Sequence, residues 1–139
     1  MNKIYFDTIF QIITTGHWIT DEVTRALKKF DITEPQFNVL RILKGARGKP
    51  LTVSTIQTHM VQRSSNVTRI IDKLLRKNLV ERKECPTNRR KMDITITEEG
   101  IKKLDELNEE VLTLHKPFFD KLNDEELITL KNLILKLKS

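Results

Sequence analysis

Ten basic residues fall between Arg63 and Lys91: Arg63, Arg69, Lys73, Arg76, Lys77, Arg82, Lys83, Arg89, Arg90 and Lys91. Three acids, Asp72, Glu81 and Glu84, stand among them, so the segment carries +7 while the whole 139-residue chain carries +6. The remainder is −1, and all the excess positive charge lies in one stretch. Clustered cations of this kind suit contacts to phosphates, because each contact releases condensed counterions. A charge run is also what any solvated face carries. The residues between the cations therefore have to separate the two readings.

Ser64, Ser65, Asn66, Thr68, Arg69 and Lys73 are polar residues grouped around an apolar stripe. Val67, Ile70, Ile71, Leu74 and Leu75 recur at i, i+3, i+4, i+7 and i+8, the period of a helix with one buried face. The polar set then points outward near the start of that helix. In a major groove, Asn66 can pair bidentately with adenine and Arg69 with guanine, while Ser65 and Thr68 can serve bases or phosphates. Arg63 precedes the helix in a short turn, Ser64 or Ser65 is its expected cap, and free N–H groups at its start can take a phosphate. The bland alternative is that the serines only cap and the cations only solvate. Further on, Asn88-Arg89-Arg90-Lys91 reads as the tip of a hairpin, with three consecutive cations able to enter a minor groove.

Other chemistries lack their residues. Cys85 is the one cysteine, and His17, His59 and His115 have no metal-ligand spacing, so neither a disulfide nor a metal is expected. No glycine-rich phosphate loop and no nucleophile elbow occurs, so neither an enzyme nor a cofactor is expected. Recognition of single-stranded RNA by stacking would need aromatics, and none lies between Gln57 and Ile101. A protein-interaction module would show an apolar or acidic outward face on the helix after Asn66, where Arg69, Lys73, Arg76 and Lys77 stand instead. Arg82 and Lys83 are close enough in sequence to Cys85 to favour its thiolate.

The elements that must position these residues can be followed along the chain. A helical segment covers about Tyr5 to Phe30, with Gly16 expected to bend or interrupt it. Thr33-Glu34-Pro35-Gln36 is a capping box that opens a helix running to Lys44. After the loop Gly45–Pro50 comes a short helix carrying Val53, Ile56 and Met60, then a three-residue turn at Val61-Gln62-Arg63 and the cationic helix. Met92, Ile94 and Ile96 alternate with polar residues as in a half-buried strand. Thr97 caps a helix that Pro117 bends or ends, and Asn123 to Glu126 is a second capping box starting a last helix. The expected fold is mainly α with a small β-hairpin wing: a winged helix-turn-helix within a single domain, 1–139. The DNA-binding lobe is 33–97, and the helices of 1–30 and 98–139 are too apolar to stand alone, which points to a homodimer. Asp7 and Gln11 interrupt the apolar N-terminal run, so neither a signal peptide nor a membrane span is expected and the cytoplasm is the expected compartment.

The stretches Leu51–Ser54, Asn66–Arg82, Asn88–Arg90 and Ile94–Gly100, together with Asp31–Leu40, resemble the MarR family of bacterial regulators. The likeness covers nearly the whole chain, and the wing followed by Thr97-Glu98-Glu99-Gly100 is its most specific part. The resemblance implies a homodimer on double-stranded DNA of pseudo-palindromic sequence, usually repressing, and often released by a small anionic effector or by oxidation. It places any effector between the dimer helices and the DNA-binding lobe, where His17 and Trp18 are the candidate ligand-binding residues. Trp18 in a core or dimer interface is the competing assignment. The family's oxidation-sensing cysteine in the first helix has no counterpart here. Two departures stand out: Asn88 replaces the acid that usually orients the wing arginine, here Arg90, and the turn lacks the customary glycine or small residue. A winged helix binding protein or non-specific DNA is the alternative function.

Overall fold

The structure, a computed structural model, describes residues 2–139. Its helices are α1 (Lys3–Lys28), α2 (Glu34–Gly45), α3 (Val53–His59), α4 (Val67–Arg76), α5 (Glu98–Phe119) and α6 (Asp124–Lys138). Its strands are β1 (Leu51–Thr52), β2 (Val80–Cys85) and β3 (Asn88–Ile96), in one antiparallel sheet of order β1-β3-β2. This is the expected mainly helical fold with a small winged sheet. The two-residue strand β1, which has no period to betray it, is the addition.

Local chemistry accounts for the helix starts. Thr33 Oγ1 accepts the Gln36 N–H at 3.2 Å, and the Gln36 side chain accepts the Thr33 N–H in return. Asn123 and Glu126 repeat the reciprocal arrangement at α6, and Thr97 Oγ1 accepts the Gly100 N–H at α5. Each such cap satisfies donors that have no partner within the helix and stabilises it by about 1 kcal/mol.

Three expectations are corrected. Gly16 does not break α1, which runs unbroken for 26 residues. A lone exposed glycine costs only about 1 kcal/mol against alanine, and a helix anchored further along absorbs that. The link between α3 and α4 is not three residues but the seven of Met60 to Asn66. The cap of α4 is neither Ser64 nor Ser65 but Asn66, whose Oδ1 accepts the Arg69 N–H at 3.2 Å. Pro117 lies inside α5, which ends two residues later at Phe119.

One core joins the elements. Val23 and Leu27 of α1, Leu40 and Leu43 of α2, Ile56 of α3, Val67, Ile71 and Leu74 of α4, Ile94 of β3, and Leu104 and Leu107 of α5 are all buried in it. The inner parts of α1 and α5 thus belong to the same core as the lobe, while α6 buries no residue. The joint between α4, the sheet and α5 is tight. The Leu79 carbonyl accepts the Thr97 N–H at 3.1 Å, and Thr97 Oγ1 donates to the Asn78 carbonyl at 2.8 Å. Gly100 packs against that carbonyl so closely that a Cβ there would lie 2.1 Å from Leu79 O. Asn78 itself takes a left-handed φ of 60°, which lets the chain leave α4 and enter β2.

Candidate nucleic-acid interface

The buried stripe of α4 decides what its other face presents. With Val67, Ile71 and Leu74 inward, Thr68, Arg69, Lys73 and Arg76 are exposed. Asn66 remains beside them, but its Oδ1 is engaged in the cap, so its free hydrogen-bonding capacity is mainly its two amide N–H groups. A bidentate adenine contact would have to share that oxygen.

The preceding turn carries Arg63 and Ser64 exposed and Ser65 half-buried. Its shape is held from outside. Gln57 Nε2 donates to the carbonyls of Arg63 at 2.6 Å and Ser65 at 2.9 Å, and Asn38 Oδ1 accepts the Val61 N–H at 2.9 Å. Neither Gln57 nor Asn38 stood out in the sequence. The signal was indirect: a turn without glycine needs its backbone groups satisfied by something else.

The wing differs from its expected form. The two residues between β2 and β3 are Pro86 and Thr87, so the cations are not the hairpin tip but the start of β3. Glu84 pairs with Met92, yet Cys85 pairs with Asn88, so Arg89, Arg90 and Lys91 occupy a bulge without partners opposite. A bulge re-aims side chains and increases local twist, and all three cations are exposed. Asn88 Oδ1 accepts the backbone N–H of Arg90 at 3.0 Å, so it shapes the bulge and leaves the guanidinium alone.

Two clefts gather the site. One lies between the start of α3, α4 and the wing, lined in part by Thr52, Ser54, Thr68, Arg82, Arg90 and Lys91. The other lies between α2 and α4, lined in part by Thr33, Ser65, Asn66, Arg69 and Lys73. Arg63 and Ser64 stand on the turn beside the second cleft, and Arg89 lies further out on the wing.

Pairing sorts the ten cations. Arg82 bridges to Asp72 at 3.0 Å and so ties the wing to α4. Lys77 bonds to the Asp31 carbonyl and to Gln36 Oε1 at 3.2 Å, tying the end of α4 to the start of α2, and Lys83 lies 3.9 Å from Glu81. Among the described residues the other seven, Arg63, Arg69, Lys73, Arg76, Arg89, Arg90 and Lys91, form no ion pair.

The thiol of Cys85 is held below its ordinary range chiefly by a hydrogen bond from Thr87, whose Oγ1 is 3.3 Å from Sγ. Arg82 and Lys83 are not the cause. His17 is exposed, and Trp18 stacks edge-on against Phe118 of α5 with ring centroids 4.6 Å apart. No helix among the described residues is long and apolar enough to cross a membrane, and no cluster of His, Cys, Asp and Glu among them could hold a metal ion.

The MarR family model matches residues 32–92. The HTH-type transcriptional repressor MdtR of Bacillus subtilis is 30% identical over 119 residues, which cover 86% of this chain and 76% of that one. The HTH-type transcriptional repressor IacR of Pseudomonas putida is 27% identical over 115 residues, 83% of this chain and 68% of that one. Among solved structures, a cysteine-to-serine mutant of MarR from E. coli complexed with operator DNA shares the fold, with a TM-score of 0.79. It is 24% identical, with 98% of this chain and 99% of that chain covered.

Proposed function

The chain belongs to the MarR family of transcriptional regulators, and on that premise we propose that it is a homodimeric repressor that reads a pseudo-palindromic operator in double-stranded DNA. The observation that carries this reading is the set of seven exposed, unpaired cations distributed over the α3–α4 turn, the outer face of α4 and the bulged wing. In this arrangement α4 lies in the major groove with Arg69 and Asn66 toward base edges, and Ser65 and Thr68 toward bases or phosphates. Arg63, Ser64 and Lys73 hold phosphates, and Arg89, Arg90 and Lys91 reach the flanking minor groove. The E. coli structure of the same fold holds operator DNA, and MdtR and IacR are named repressors, which supports the same role here.

Dimerisation rests on the apolar side chains that the protomer leaves uncovered. Ile4, Tyr5, Phe6, Phe10 and Ile13 of α1, and Ile128, Leu130, Leu133, Leu135 and Leu137 of α6, are exposed. Apolar surface on both terminal helices is best covered by a second copy about a twofold axis, which also sets two α4 helices one turn of DNA apart. A small effector that shifts this spacing would release the DNA; His17 and Trp18 lie on α1 between its exposed and buried parts and are the residues to test for it. The cytoplasm, where the DNA is, is the compartment this function requires.

The test is fluorescence anisotropy with DNA from upstream of the protein's own gene against a scrambled duplex, over a salt series, with light scattering for mass. Tight binding that prefers the upstream duplex and weakens with salt, from a dimer, supports the reading. Equal weak binding on both duplexes, or a monomer at micromolar concentration, counts against it.

A further inference from the structure

The seven residues Met60 to Asn66 that link α3 to α4 contain neither glycine nor proline, and one backbone hydrogen bond of their own braces them. Within the turn, Ser65 N–H donates to the Gln62 carbonyl at 3.1 Å, and at its entry Met60 N–H donates to Gln57 O at 3.4 Å. The firm contacts come from side chains on other elements. Gln57, next to the buried Ile56 on α3, donates through Nε2 to the carbonyls of Arg63 and Ser65, the two residues that flank Ser64. From the other side, Asn38 of α2 takes the Val61 N–H. We propose that Gln57 is a positioning residue for DNA recognition, clamping the α3–α4 turn so that Arg63, Ser64 and the capped start of α4 meet the duplex in one fixed arrangement. The proposal rests on the DNA-binding reading above and deepens it.

The chemistry at position 57 is specific. Both carbonyls are acceptors, so only a side chain with N–H donors at the right reach can hold them together. Methionine matches glutamine in length and supplies no donor. Lysine has a longer stem and supplies three donors. Loss of two hydrogen bonds to the turn raises its open population by about tenfold, given the modest net worth of each. Because Arg63 is exposed within the turn, trypsin cleavage after it reports that population directly when opening is fast.

The experiment compares the full-length wild type with Gln57→Met and Gln57→Lys. Two quantities are read: the rate of tryptic cleavage at Arg63–Ser64 relative to other sites, and the preference for the upstream duplex over a scrambled one. The expected result is cleavage at Arg63 about tenfold faster in Q57M with other sites unchanged, and close to the wild-type rate in Q57K. The duplex preference should narrow in Q57M, because Arg63, Ser64 and the start of α4 no longer meet the duplex in one arrangement. The salt slope should fall by less than the about 0.9 of a lost phosphate contact, since every cation is kept. Wild-type cleavage at Arg63 in Q57M overturns the proposal. So does acceleration spread evenly over all lysines and arginines, which would mean that Gln57 only supports the whole fold. If Q57M does not fold, Gln57→Ala carries the same comparison. If the turn opens as expected but the wild type shows no duplex preference, the DNA-binding reading falls, and Gln57 remains a clamp without a role in recognition.

Discussion

Replacing Gly100 by alanine should destabilise the protein through one carbonyl. The added Cβ would sit 2.1 Å from Leu79 O and 2.7 Å from Cγ1 of Ile96. The isoleucine can rotate away, but the carbonyl is backbone and also accepts the Thr97 N–H at 3.1 Å. Separating Cβ and O to ordinary contact needs a shift of roughly 1 Å, of the kind that costs about 1–3 kcal/mol in an overpacked core. The strained Leu79–Thr97 hydrogen bond adds up to about 1 kcal/mol. Alanine's better helix propensity returns at most about 1 kcal/mol, and less this close to the helix start. The net loss is about 2 kcal/mol, which for a chain of 139 residues lowers Tm by about 6–8 °C. Thermal unfolding followed by circular dichroism, at equal protomer concentration because association adds to stability, reads this directly. An unchanged or raised Tm would refute the reasoning, since it would show that α5 can lift off the Leu79 carbonyl at no cost and that space is not why glycine stands there.

Arg69→Ala should weaken specific binding by about 1–3 kcal/mol if its guanidinium reads a base; equal loss on operator and scrambled duplexes would make Arg69 a phosphate contact instead. Arg90→Ala should weaken binding and flatten the slope of log affinity against log salt, because the wing loses a cation, and wild-type affinity with an unaltered slope would remove the bulged wing from the interface. Burial raises the carboxyl pKa of Glu34 above its ordinary value. Its contribution is therefore most favourable in acid and is lost as pH rises through that raised pKa. Glu34→Gln, which does not ionise, should gain stability relative to the parent as pH rises above the ordinary carboxyl range of about 4, and parallel stability curves would contradict this. Thr87→Val should move the pH profile of Cys85 alkylation upward, because the Thr87 hydrogen bond is the largest cause lowering the thiol's pKa; a profile that stays put would assign the lowering to the surrounding backbone.

Much of this site was legible from the sequence because it depends on local rules. The stripe Val67, Ile70, Ile71, Leu74 and Leu75 determines which side of α4 faces the core, so the exposed Thr68, Arg69 and Lys73 follow from spacing alone. The capping boxes at Thr33 and Asn123 are likewise four-residue facts. The cap of α4 was not legible, because Ser64, Ser65 and Asn66 are all competent caps. Outside that stretch Gln57 holds the Ser65 carbonyl, and it is Asn66, one residue beyond the serines, that caps the helix. The bulge at Arg89 to Lys91 was hidden for a related reason. Alternation across Met92, Ile94 and Ile96 defines a strand, but it cannot say where the partner strand slips.

The charge of the segment shows the same limit in electrostatic form. A local charge of +7 counts every cation as available, yet Lys77, Arg82 and Lys83 are drawn to Asp31, Asp72 and Glu81. Two of these ties are structural in effect: Arg82–Asp72 fastens the wing to α4, and Lys77 fastens the end of α4 to the elbow before α2. Removing Arg82 would also release Asp72 and loosen that tie, so a loss in affinity there would not by itself identify a DNA contact. The seven cations left over are the ones whose loss can be read as contact. They lie on three separate elements, the turn, α4 and the bulged strand, so no single helix could present them together. Under the proposed function this is a division of labour: Arg82 and Lys77 tie elements together, and the unpaired cations are left free to meet DNA.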